Sequence, residues 1–209
     1  MQSKLEKVLS IASPSLRPSI PEIPRILAEK GERGQELYGM LKMRNGFFAF
    51  ESALHVFPLG SGKGLGLERW NSESLWRSGY GRMAESLFFF AEDAFGHPFA
   101  IGNDSIVSFD PETGEIADLA PTLEVWATRI LDDYAFLTGY QLIHEWQQEN
   151  GPVLADYRLA PRIPFVLGGE YSLKNLYLAD SLELMRFRAS LARQIRDLPD
   201  GAPININII

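Results

Sequence analysis

Glu92 and Asp93 stand side by side at the end of an apolar run, Leu87-Phe88-Phe89-Phe90-Ala91. Two carboxyls at a strand end are the raw material of a glycosidase pair or of a cation site. Neighbouring strand residues, however, point to opposite faces of a sheet. The pair therefore reads first as two solvated acids leaving a strand. Asp104, Asp110, Glu112 and Glu115 follow, without the spacing of a calcium loop. His55, His97 and His144 show no i, i+4 pairing, so a metal site would have to be gathered by the fold alone. Gly60-Ser61-Gly62-Lys63 has part of a phosphate loop, but Gly64 stands where a magnesium-binding hydroxyl is needed, and the stretch reads as a flexible loop. No G-x-S-x-G elbow is present, and the chain has no Cys, which removes disulfides, thiolate metal sites and cysteine nucleophiles. The residue types predict no cofactor, no metal and no catalytic group, with the Glu92-Asp93 pair as the one opening to hydrolase chemistry.

What the acidic stretch does carry is charge. The 209 residues include 20 Lys or Arg and 27 Asp or Glu, for a net −7. Residues 1–82 have a net +4, residues 83–128 hold nine acids and no Lys or Arg, and residues 129–209 have a net −2. A field of this sign repels nucleic acid and anionic membrane and attracts basic proteins. Two readings stay open. The acids form one docking surface, with Glu92, Asp93, Asp104, Asp110, Glu112 and Glu115 as contacts. Or distant bases neutralise them once folded, among them Arg186, Arg193 and Arg196 on one helix.

These residues need a scaffold. The chain is 45% hydrophobic and has 13 Phe, 7 Tyr and 4 Trp, enough for a packed core. It has no apolar run long enough for a membrane span. Residues 1–9 read as a short amphipathic helix rather than a signal peptide, because no apolar core follows the charges. Pro14, Pro18, Pro21 and Pro24 space out a linker. A helical turn is expected over 26–30 and a helix over 32–43, stopped at Asn45-Gly46. An apolar stretch follows to Phe57, with a break near Glu51-Ser52. Asn71 is expected to cap a short helix holding Leu75 and Trp76.

Strands are expected over 87–91, 98–101, 106–109 and 116–119. The turn Asp110-Pro111-Glu112-Thr113-Gly114 joins the last two, because Pro presets φ and Gly accepts positive φ. Thr122 is expected to cap a helix running to about Thr138, with Leu123, Trp126, Ile130 and Tyr134 along one face. A second helix is expected over 142–148 and a strand over 175–178. Ser181 would cap a long helix to Arg196. Pro199-Asp200-Gly201 reads as a turn, and the alternation of Ile204, Ile206 and Ile208 with Asn as a strand. The fold expected is α+β: a mixed or mostly antiparallel sheet with helices mainly on one side, completed by a C-terminal helix and strand. Residues 1–20 form an N-terminal helix and linker, 21–150 the core, and 151–209 an extension packed on it.

The order of these segments carries a family resemblance. Asn45-Gly46-Phe47 closes a helix, and Ala53-Leu54-His55-Val56-Phe57-Pro58 follows. Trp70-Asn71 comes next, then the run from Phe88 to Ile101, then Phe109-Asp110 with Gly114-Glu115-Ile116, and last a helix bearing Trp126. Over about Pro21 to Gly139 this resembles the SUKH superfamily, which includes fungal Smi/Knr-type cell-wall regulators and many bacterial immunity proteins. It departs from that pattern at Gly96-His97-Pro98, where many members have a Gly-Gly-Asp-like sequence. The resemblance implies a mixed sheet flanked by helices and a binding protein rather than an enzyme. Bacterial members are typically encoded beside secreted toxins, often nucleases, and neutralise them by binding. The expectation is thus a cytoplasmic, immunity-type protein whose acids meet a basic toxin domain. A regulatory or scaffold module and a Glu92/Asp93 hydrolase are the alternatives.

Overall fold

The structure is a computed structural model that describes residues 2–196, 198, 199 and 202. The strand expected at Ile204–Ile208 and most of the turn before it lie outside the described residues.

The N-terminal third forms helices α1 (Lys4–Ser10), α2 (Arg25–Ala28) and α3 (Gly31–Met43), strands β1 (Phe47–Ala49) and β2 (Leu54–Val56), and helix α4 (Leu67–Trp70). The middle forms β3 (Phe88–Glu92), β4 (Pro98–Ile101), β5 (Ile106–Phe109) and β6 (Ile116–Ala120), followed by α5 (Leu123–Asp132), α6 (Tyr134–Leu137) and α7 (Tyr140–Asn150). The last part forms β7 (Tyr157–Pro161), β8 (Leu176–Asp180) and α8 (Ser181–Ile195). The protein is α+β. β1 to β6 make one antiparallel sheet in sequence order, and β7 pairs with β8 in a second, two-stranded sheet. Among the described residues no helix is long and apolar enough to cross a membrane.

β3 is buried along its whole length because both faces of the large sheet are covered. Phe90 packs edge-on against Trp126 of α5, while its neighbour Phe89 packs on Trp76 and Phe109 from the opposite side. The expectation of helices mainly on one side is corrected here: α5 covers one face, and α4, the segment with Trp76 and Tyr80, and α8 cover the other. An unbroken aromatic strand has no polar face to leave in water, so it needs both layers.

Local chemistry sets the element ends. Ser3 and Glu6 form a reciprocal capping box on α1. Asn71 does not start a helix. It follows α4, and its side chain accepts from Phe89 N at 2.8 Å and donates to Phe89 O at 2.8 Å, tying α4 to the central strand. The loop at 60–66 is anchored, since Arg17 donates to the carbonyls of Gly60, Lys63 and Gly64. The helix expected to run from Thr122 to Thr138 stops at Asp133. Thr138 is instead drawn to the β3–β4 turn, where its carbonyl accepts from Ala94 N at 3.0 Å. Asp180, not Ser181, caps α8, by accepting from Leu182 N and Glu183 N. β7 has no counterpart in the sequence reading.

Candidate functional site

The acid-rich stretch enters the fold along β3, and its first acid is sealed there. Glu92 is 1% exposed. Its Oε1 lies 2.7 Å from Nη2 of Arg158, itself fully buried in β7, and 3.0 Å from Nδ1 of His55 in β2. A buried carboxylate is tolerated only when paired and hydrogen-bonded. His55 sits between the rings of Phe48 and Phe57. Burial dominates there over the pull of Glu92 and holds the His55 pKa below the usual 6.5. The imidazole is then neutral at pH 7, with Nδ1–H donating to a carboxylate that can only accept.

Asp93 is turned to a different task. Its Oδ1 accepts from Phe95 N and His97 N, each at 2.8 Å, and Oδ2 lies 3.3 Å from His97 Nδ1. It caps the β3–β4 turn from within.

Glu112 is 2% exposed. Its Oε1 faces Arg188 Nε of α8 at 3.5 Å, and its Oε2 accepts from Val166 N at 2.9 Å. Arg188 also donates to Phe95 O at 2.7 Å. Tyr80 closes this layer by donating to Pro111 O, and burial raises its phenol well above 10.

Glu92, Asp93 and Glu112 are therefore withdrawn as partner contacts. Glu92 and Glu112 bind the C-terminal extension to the main sheet and Asp93 holds the β3–β4 turn, and the bases that neutralise Glu92 and Glu112 are Arg158 and Arg188, not the Arg186, Arg193 and Arg196 face. The two carboxylates do not form a hydrolase pair facing one cleft, since Glu92 is sealed against Arg158 and His55 and Asp93 is taken up by Phe95 N, His97 N and the His97 ring. Among the described residues no group of three or more His, Asp or Glu is placed to hold a metal.

Asp104, Asp110 and Glu115 are exposed, as is Asp118, which had not been singled out as a contact. All four lie around the outermost strand. Asp104 is in the β4–β5 turn, and Asp118 on β6 accepts from Ser105 Oγ at 2.6 Å. Asp110 and Glu115 bracket the turn at the other end of β5, joined by a bond from Asp110 N to Glu115 O. Among the described residues β6 has no strand on its outer side, and none of the four acids is in an ion pair. Arg129 borders one end and Arg196 the other.

A groove of about 450 Å³ opens where the Asp93 turn, α6 and the β8 approach meet. Phe95, Phe99, Leu142 and Tyr171 give it apolar walls, Phe136 stands at its rim, and Asp93 and His97 supply polar atoms. Periodicity could not have found it. The apolar face expected of a continuous helix, with Leu123, Trp126, Ile130 and Tyr134, leaves Phe136 off it, and Tyr171 lies in irregular chain.

No family model matches the chain, and no curated protein matches it. Its fold is similar to that in the crystal structure of Atu4351 from Agrobacterium tumefaciens, with a TM-score of 0.58. The two share 14% identity, over 88% of this chain and 87% of that one. At that identity the likeness concerns the fold alone.

Proposed function

We propose that this chain is a non-catalytic, SUKH-type binding protein that acts in the cytoplasm and neutralises a basic toxin domain by direct docking. The observation that carries the reading is strand β6, which has no strand on its outer side among the described residues, with Asp104, Asp110, Glu115 and Asp118 exposed around it. An unpaired strand edge presents a row of backbone donors and acceptors that a partner strand can take up. Carboxylates at both ends give that edge a sign, which favours Lys- and Arg-bearing partners and raises their association rate. The order of motifs from Asn45-Gly46 to the Trp126 helix supports the SUKH assignment, with a sheet meander where the family has its sheet.

The test is co-expression with a toxin encoded beside this chain, reading growth, followed by stopped-flow association of the purified pair. Growth is rescued, and reversing all four acids to Lys slows association at least tenfold at low salt and flattens its salt dependence. Unchanged association after the four reversals removes the docking site. A neighbouring toxin that the chain neither binds nor neutralises removes the immunity reading.

A further inference from the structure

The groove beside the Asp93 turn is built like a socket. Phe136 is 80% exposed and Tyr171 58% exposed, although both are large and apolar. Contiguous exposed aromatics of this kind mark interaction surfaces. Phe165 stacks on Tyr171 at 3.8 Å and Phe95 meets both rings edge-on, so the Tyr171 wall is held in place before anything binds. Gly139, at φ +68°, leaves the space against Phe95 that a side chain would fill.

The groove also has a sign. Among the described residues its lining contains Asp93 and no Lys or Arg. Ser108 in the lining lies two residues before the exposed Asp110, and Asp110 is close enough to the Tyr171 wall to act on its phenol. The Tyr171 phenol reports the same field. Burial raises its pKa first, and then Asp93, Glu112 and Asp110 add to the rise against Arg188. With two walls this exposed, the groove encloses too little of a free small molecule to resemble an ordinary ligand pocket, where roughly 70–90% of the ligand is covered. A protein surface laid across the rim would cover Phe136 and Tyr171 together.

We propose that this groove receives a large apolar side chain, Leu, Ile or Phe, carried on a Lys- or Arg-rich segment of a protein partner. The proposal deepens the binding reading above and rests on it. The apolar side chain displaces water from Phe95, Phe136 and Tyr171, while the flanking cations lie toward the exposed Asp110.

The probe is the peptide Gly-Lys-Lys-Phe-Lys-Lys-Gly, titrated into the full chain and followed by amide NMR shifts. A second peptide has Ser in place of Phe, and a third has Glu in place of Lys. The Phe peptide is expected to shift the amides of residues 95–97, 135–139 and 171, and both control peptides to bind at least tenfold more weakly. Phe136→Ser is expected to weaken the Phe peptide at least tenfold and Phe136→Leu to restore it. At 80% exposure neither change disturbs the core. Equal binding of the Ser peptide, or of the Glu peptide, overturns the proposal. Shifts confined to residues 114–118 overturn it while leaving the acidic edge standing, and shifts at neither place overturn both. Broadening of the groove amides that grows with protein concentration alone assigns the socket to a second copy and overturns it too.

Discussion

Arg158, fully buried in β7, places Nη2 2.7 Å from Oε1 of Glu92 at the end of β3. That contact joins the small sheet to the large one through a charge pair with almost no access to water. Its stem also carries the guanidinium over the ring of Phe48, 5.6 Å from the centroid. The middle of the chain is short of bases in sequence but not in space.

Removing one member of this pair leaves a buried charge without its counterion. Arg158→Leu is expected to cost about 3–5 kcal/mol of unfolding free energy, read from urea denaturation. Glu92→Leu/Arg158→Leu is expected to lose about 2–3 kcal/mol less than the two single changes summed. Additive single changes would show that the pair contributes nothing as a pair.

His55 predicts a pH dependence of known sign. Its folded pKa lies below the unfolded value of about 6.5, so the unfolded chain binds the extra proton in the interval between them. The stability tied to neutral His55 is full above about pH 6.5 and is lost as pH falls through that interval. The limiting slope for one proton is about 1.4 kcal/mol per pH unit. Burial is the main cause, and Arg158 acts in the same direction, against Glu92 and Asp156. His55→Phe keeps a ring between Phe48 and Phe57, and its unfolding free energy should change less between pH 7 and 5 than that of the unaltered chain. Parallel pH profiles would assign the titration elsewhere.

Two glycines separate backbone strain from crowding. Gly139 and Gly168 both have left-handed backbone, at φ +68° and +85°. A Cβ at Gly139 would lie 2.4 Å from Phe95 Cε2, whereas at Gly168 it would meet nothing within 4 Å. Gly168→Ala is expected to cost about 1–2 kcal/mol through backbone conformation alone. Gly139→Ala should cost roughly 1–3 kcal/mol more, because it overpacks the Phe95 contact. Equal melting temperatures for the two variants would mean that Phe95 yields freely, and with it the floor of the groove.

The sheet was legible wherever neighbouring residues set the outcome. Leu87–Ala91 is too apolar and too short to be anything but a covered strand, and Asp110 to Gly114 has the Pro and Gly that a tight turn requires. β7 was not legible. Tyr157-Arg158-Leu159-Ala160-Pro161 alternates poorly and puts a charge in its middle, and only the Glu92 carboxylate waiting opposite makes that charge acceptable. Asn71 misled for a related reason. Its side chain bonds to Leu67 O in the helix before it and to a strand 18 residues away rather than capping a helix after it.

By itself, the sequence determined most of the large sheet's strands, their order and the concentration of acids in one stretch, because these depend on neighbours a few residues apart. Only the tertiary structure decided which acids meet solvent. Glu92 and Glu112 went inside because arginines and a backbone donor from distant segments converge on them, Asp93 because the turn beside it closes on its carboxylate, and Asp104, Asp110 and Glu115 stayed outside because no such base reaches them among the described residues. The aromatic groove belongs to the same class of fact. It exists because a helix breaks at Asp133 and a distant tyrosine comes to face the Asp93 turn, and no local pattern encodes either.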